Sequence, residues 1–401
     1  MIFRSKKIYT PDGIIDGYME IENGKILKIV KGETKEARDL GDLWIIPGIF
    51  DTHNHAYGGY NLSGRNDEER SKNIKGYLKA LASLGVTLVF PSVFSTVADQ
   101  RSLEELETAA SFVGKRVDGA KAAGIHFEGP FLHRVGEHGQ QYKPDPIDLE
   151  YAKKCIEVSN GTLKLMGHAP ELPGSRELID LLLRNGVTAA FTHSDSKSEE
   201  AFRAFDDGVT VATHTCNVMV GIHHRNVGGL GAALIDNRVY CELICDGLHV
   251  CNDMLKLIMN TKPHDHIMMV SDTSTLAGAP SGKYMTDDDG LVIVDQKGRL
   301  LEESGRLSGS SKPVLYGMKN LVRNVGMDLL EIVKLSSLNP CIKYGYADCK
   351  GSLSAGKDAD FVLIDSEFGV VETYSEGRKI YDCKEDKDLL RKEYFENARI
   401  S

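Results

Sequence analysis

Long apolar runs are missing from this chain. No stretch approaches the roughly 18 consecutive apolar residues of a membrane span, so no membrane association is expected. The opening Met1-Ile-Phe-Arg-Ser-Lys-Lys is not followed by an apolar core and a cleavage site, which predicts no signal peptide. A positive surplus is missing too: 48 Lys and Arg stand against 58 Asp and Glu, a net charge of -10. That balance argues against a nucleic-acid surface and requires any anionic ligand to be met by a few local cations. There is no Cys-x-x-Cys pair. The eight cysteines (Cys155, Cys216, Cys241, Cys245, Cys251, Cys341, Cys349, Cys383) are scattered, which reads as reduced thiols and a cytoplasmic protein.

What is present is ordinary globular material, 401 residues with 41% hydrophobic side chains. That length suits one large barrel plus a smaller unit. Residues 1–48 have the texture of strands and turns, with Asn23-Gly24 marking a hairpin inside "GYMEIENGKILKIV". A similar texture returns in "GSLSAGKDADFVLID" and "VVETYSEGRKIYD". The two ends are therefore expected to pair, with 1–48 and 346–401 forming a small β-sandwich beside a domain at 49–345.

The middle alternates helical and strand texture, which predicts βα units and a parallel sheet. "SLGVTLVFPS", "RNGVTAAFTHS" and "DDGVTVATHT" each close a helical stretch with Gly and continue into a short apolar strand. A Gly can take the left-handed cap conformation, and a continuous apolar run suits a strand buried on both faces. The expected fold is an α/β barrel of the TIM (β/α)8 type.

Chemistry in such barrels sits at the C-terminal strand ends. "LWIIPGIFDTHNHAYGG" (43–59) delivers Asp51, His53 and His55, and the two histidines share one face of a strand and can reach one metal. Taken alone, His-x-His could equally be a hydrogen-bonded pair. "IHFEGPF" presents Glu128, "VTAAFTHS" presents His193 and "VTVATHT" presents His214. Several strands ending in metal-capable side chains are hard to assign to packing alone. The mixed imidazole and carboxylate set suits zinc, iron, cobalt or nickel. Glu128, between two His pairs, is placed to bridge two ions. "HIMMVSDTSTLAG" ends in Asp272, which would serve either as a helix cap or as the proton carrier of a hydrolysis.

Taken together, His53-x-His55, "HFEGPFL" (126–132), His193, His214 and Asp272 resemble the amidohydrolase superfamily. "VGEHGQQ" (135–141), "THTCNVM" (213–219), "HHRNVGGLGAAL" (223–234), "CDGLHV" (245–250) and "LSGSSKP" (307–313) narrow the resemblance to its sugar-phosphate deacetylating branch. The resemblance implies one or two divalent ions, zinc foremost, held by His53, His55, Glu128, His193 and His214 with Asp272 beside them. It implies that Asp272 is general base and then acid, and that His138 polarises the acetyl carbonyl. Asn217, Arg225 and His249 would hold the phosphate, Arg225 and His249 across the interface of a homodimer. The implied substrate is N-acetylglucosamine 6-phosphate, in amino-sugar catabolism or cell-wall recycling, with N-acetylgalactosamine 6-phosphate as the alternative. Without the resemblance, Arg225 as an isolated loop residue would read as a surface ion-pair partner, but its neighbours His223, His224, Asn226, Gly228 and Gly229 favour anion binding, while His249 reads equally as a buried hydrogen-bonded histidine. His126, His133 and His168 also lie near the strands, and His126, whose alternation could turn it to the site, is read as structural. Cys216, Val218 and Gly139 depart from the family texture near the substrate positions, which bears on sugar preference more than on reaction type. A cyclic-amide hydrolase would use a modified Lys where Glu128 stands, and a scaffold without catalysis would have lost ligands that this chain keeps.

Overall fold

The computed structural model describes residues 1–135, 146–286 and 290–400. Its centre is a ring of eight parallel strands: β1 (Ile49–Asn54), β2 (Val86–Phe94), β3 (Ile125–Glu128), β4 (Leu163–His168), β5 (Thr188–Phe191), β6 (Val211–Ala212), β7 (Tyr240–Ile244) and β8 (Ile267–Val270). Each strand pairs with its predecessor in chain order. The seam between β8 and β1 is bridged by the Asp272 N–H, which donates to the His53 carbonyl at 2.9 Å. The Ser271 hydroxyl reinforces it, donating to Asp51 Oδ2 at 2.5 Å. The expected TIM-type barrel is what forms.

Helices fill the returns between strands, and their starts are written locally. Asn66, Asp99 and Asp148 each accept a backbone N–H of the first turn of the helices Asp67–Ala82, Gln100–Ala110 and Leu149–Val158. Gly85, Gly186 and Gly208, placed from sequence at the entries to strands, have φ of 79°, 69° and 120°. All lie in or near the left-handed region that glycine tolerates. The helix Ser175–Arg184 buries Ser175, Leu178, Ile179 and Leu182, and each fully buried aliphatic side chain is worth about 1.5–3 kcal/mol. The closed end of the barrel is filled by aromatic rings: Phe50 and Phe90 lie 5.0 Å apart, and Tyr344 stands 4.7 Å from Phe90.

The termini meet as expected. Strands 2–10, 13–22, 25–31, 38–39 and 44–47 share one sheet with 361–364, 370–375 and 378–382. At its turn, Asn23 and Gly24 have φ of 51° and 80°, the signs that a two-residue hairpin requires. The sheet curls so that Ile26 donates to the Lys357 carbonyl at 2.8 Å, enclosing Phe3, Ile8, Met19, Ile45 and Phe361 in a core of its own. The last residues leave this sheet, although the sequence grouped them with it. Arg399–Ile400 pair with Lys283–Tyr284 in a separate small sheet, and the Arg391 N–H donates to the Gly58 carbonyl at 2.8 Å. Among the described residues no helix is long and apolar enough to cross a membrane.

Candidate functional site

All six strand-end residues converge at the open end of the barrel. His53 lies on β1 with His55 just beyond it, and Glu128 ends β3. His193, His214 and Asp272 each follow their strand by two residues, and each bends the chain back with φ of 45°, 28° and 52°. Such backbone costs about 1–3 kcal/mol outside glycine and persists only where surroundings hold it. Here the Asn217 N–H donates to the His214 carbonyl at 2.9 Å, and the His133 N–H to the His193 carbonyl at 3.0 Å. Gly129 is required after Glu128: its φ is 105°, and a Cβ there would sit 2.1 Å from the Ser95 carbonyl oxygen.

Glu128 divides its carboxylate between two groups. Its Oε2 lies 3.2 Å from His53 Nε2 and 3.0 Å from His55 Nε2. Its Oε1 lies 3.1 Å from His193 Nε2 and 2.8 Å from His214 Nε2. Asp272 Oδ1 joins the first group, 3.5 Å from His53 Nε2 and 3.4 Å from His55 Nε2. Its carboxylate thus faces the histidines rather than capping a helix.

The far sides of the rings show what these atoms are prepared for. His55 Nδ1 lies 3.1 Å from the Ser92 carbonyl and His193 Nδ1 lies 2.8 Å from the Arg134 carbonyl. A carbonyl only accepts, so both rings carry a proton on Nδ1 and turn Nε2 to the cleft. The Nε2 atoms face carboxylate oxygens and, for His55, a second imidazole nitrogen 3.1 Å away. Nitrogens and oxygens at this range repel unless protons or metal ions lie among them. In each group the donor atoms lie within 4.8 Å of one another, so His53, His55, Glu128 and Asp272 could hold one ion and Glu128, His193 and His214 another. The donor set fits a divalent transition metal.

Charge in the metal-free chain leads to the same reading. Burial pulls His53 and His55 toward neutrality, yet Glu128 and Asp272 overrule it, holding His53 well above the usual range and His55 up to about 9. Burial likewise pushes the two carboxyls up, but the histidines hold Glu128 well below its ordinary value and Asp272 down to about 2. Two carboxylates therefore stay ionised in a nearly dry cleft and keep cations beside them.

Other residues singled out from sequence fall into place unevenly. Asn217 adjoins His214, its amide donating to the His214 carbonyl at 3.1 Å. His249 is held by Asp246 Oδ2 at 2.8 Å; burial works against its charged form, but the Asp246 hydrogen bond and charge, with Asp272 adding to them, raise its proton affinity overall. Arg225 sits exposed on the loop before the helix Gly228–Ile235, and the structure gives it no contact with the two histidine groups. His138 lies outside the described residues. His126, read as structural, is buried 4.4 Å from the His53 ring, with Nδ1 3.0 Å from Ser92 Oγ. His168 is structural in its contacts, with Nε2 3.0 Å from Ser175 Oγ, and His133 Nδ1 lies 2.9 Å from Glu171.

One residue was missed, and Asp51, delivered by the same strand as His53 and His55, was given no role. Glu242, wholly buried on β7, places Oε2 3.1 Å from His53 Nδ1. A lone carboxylate inside the apolar run "VYCELIC" was the available signal. Asp51 gathers Ser271 Oγ, Asn54 Nδ2 at 3.0 Å and the Ser271 N–H at 3.2 Å, tying β1 to β8 directly beneath His53 and Asp272. Burial raises its carboxyl to about 6 against those hydrogen bonds.

This metal-capable barrel mouth with a bridging Glu has its counterpart among known proteins: residues 44–380 match the amidohydrolase family, and the chain belongs to it. Residues 2–41 match the composite domain of allantoinases. The chain is 29% identical to N-acetylglucosamine-6-phosphate deacetylase of Vibrio furnissii over 90% of each chain. It is 27% identical to N-acetylgalactosamine-6-phosphate deacetylase of Escherichia coli O157:H7, over 94% of this chain and 98% of that one. Its fold matches the crystal structure of N-acetyl-D-glucosamine-6-phosphate deacetylase from Mycobacterium smegmatis with a TM-score of 0.85 at 26% identity, covering 95% of this chain and 100% of that one. A mutant of that protein has been crystallised in complex with N-acetyl-D-glucosamine-6-phosphate.

Proposed function

We propose that this chain hydrolyses the acetamide of N-acetylglucosamine 6-phosphate, releasing acetate and glucosamine 6-phosphate. The observation that carries the reading is Glu128 shared between two histidine pairs, with Asp272 beside the first. A divalent ion held there would supply Lewis acidity toward the amide carbonyl and a water nucleophilic at neutral pH. Zinc is the ion we propose, in one or both subsites, with iron, cobalt and nickel as alternatives. Asp272, ionised and pointed into the cleft, accepts the proton of the attacking water and delivers it to the leaving nitrogen. His138 polarises the acetyl carbonyl.

For the phosphate we propose Asn217, Arg225 and His249. Arg225 offers a planar cation suited to a phosphate, which a chain of net charge -10 must otherwise repel. Its exposure, beside the exposed Ile222, supports a homodimer in which it serves the neighbouring site. The working division, 49–345 for the barrel and 1–48 with 346–401 for the terminal unit, puts every one of these residues on the barrel. All eight cysteines are free, which supports a cytoplasmic setting.

The relative that deacetylates the galactosamine compound makes N-acetylgalactosamine 6-phosphate the second substrate to test. Acetate release would be measured from both sugars, with and without the 6-phosphate, on metal-analysed protein. Preference for the phosphorylated glucosamine substrate is expected. Equal rates without phosphate would remove the sugar-phosphate reading and leave the amidohydrolase one standing.

A further inference from the structure

Among the histidines of the site, His53 is singled out by what stands behind it. His55 and His193 turn Nδ1 to backbone carbonyls, and His214 Nδ1 has no hydrogen-bond partner among the described residues. Of the four histidines grouped around Glu128, His53 alone is backed by a carboxylate, Glu242 Oε2 at 3.1 Å. That carboxylate is itself fixed: the Thr52 hydroxyl donates to Oε1 at 2.6 Å, and the side chain has no exposure to solvent. A buried carboxylate is costly unless hydrogen-bonded and paired, and the pairing here runs through the imidazole. The Nδ1–H to carboxylate bond fixes the tautomer that presents Nε2 as a lone pair and strengthens it as a donor. The backbone carbonyl of Glu242 has a different task, accepting the Thr215 N–H at 2.6 Å beside His214. Side-chain replacement leaves that second contact in place.

We propose that Glu242 is a positioning residue that sets the metal affinity of the subsite formed by His53, His55, Glu128 and Asp272, and through it decides whether the chain carries two ions or one. The inference rests on the metal-dependent reading of the site but not on the identity of the sugar. It predicts asymmetry, because the subsite of His193 and His214 does not depend on the Glu242 side chain.

The test is a zinc titration of chelator-treated protein against a competing chromophoric chelator, with bound zinc counted after dialysis at fixed free zinc. Wild type is expected to hold two ions of distinct affinity. E242Q keeps the size and loses the charge. It should weaken one class of site about 10–100-fold, the usual range for such outer partners, and leave the other within about 2-fold. T52V, which releases Oε1, should weaken the same class by less, and it serves if E242Q does not fold. H55A marks the first subsite, retaining only the class that E242Q spares. Unchanged affinities in E242Q, or equal losses in both classes, would overturn the proposal. A wild type saturating at one ion would overturn it while leaving a one-metal hydrolase intact, and a wild type binding none would remove the metal reading itself.

Discussion

The N–H of Asp272 donates to the carbonyl of His53 at 2.9 Å, so the strand that ends in the proton carrier is fastened to the strand that carries the first metal-capable histidine. Their side chains meet as well, 3.5 Å apart. Replacing Asp272 by Asn keeps size and backbone and removes the ability to take a proton. D272N should lower kcat by at least about 100-fold, the lower range for general base catalysis, with zinc content within about 2-fold of wild type. Turnover near wild type in metal-loaded D272N would reject the assignment.

Metal uptake should release protons. In the metal-free chain His55 titrates at about 9 and His53 well above its usual range, so both rings are charged at pH 7. Their folded-state values are raised, so the stability they contribute to the metal-free fold is fully present below about 6.5 and is lost as pH climbs through those raised values, about 9 for His55. A metal must displace those protons, and its apparent affinity should rise with pH up to about 9. Zinc added at pH 7 in weak buffer with an indicator dye should acidify the solution, whereas H53A/H55A should release fewer protons.

Arg225→Ala should act on binding. Loss of a charged hydrogen bond costs about 1.5–3 kcal/mol, which corresponds to KM rising roughly 10–100-fold for phosphorylated substrate. Rates on the unphosphorylated sugar should hold. An unchanged KM with the phosphorylated sugar would dismiss Arg225 from the phosphate site.

Acid should find His168. Burial drops it to about 4, so the folded chain refuses a proton that the unfolded chain accepts below about 6.5. Its contribution is therefore present above about 6.5 and is lost as pH falls toward 4, up to about 3 kcal/mol. Urea unfolding of chelator-treated protein should show wild type losing stability over that window more steeply than H168Q. Parallel slopes would refute the account.

The barrel and its six strand-end residues were legible because each of their strands carries a local signal, an apolar run and a polar exit, most often behind a Gly entry as in "NGVTAAFTHS". What escaped depends on residues far apart in sequence. Glu242 reaches His53 across 189 positions, and Ser271 reaches Asp51 across 220. The Ser92 and Arg134 carbonyls that set two histidine tautomers belong to the backbone and leave no mark on residue type. The left-handed turns at His193, His214 and Asp272 run against local preference, so propensity alone would have placed them elsewhere.

The segment around Arg391 has a bearing on the first metal subsite from outside the barrel. The Gly58-Gly59 turn, only a few residues past His55, is held by the Ala277 and Thr275 carbonyls at 3.0 Å each and by the Arg391 N–H at 2.8 Å. A truncation upstream of Arg391 would therefore loosen the loop beside that subsite while leaving every proposed metal ligand in the chain.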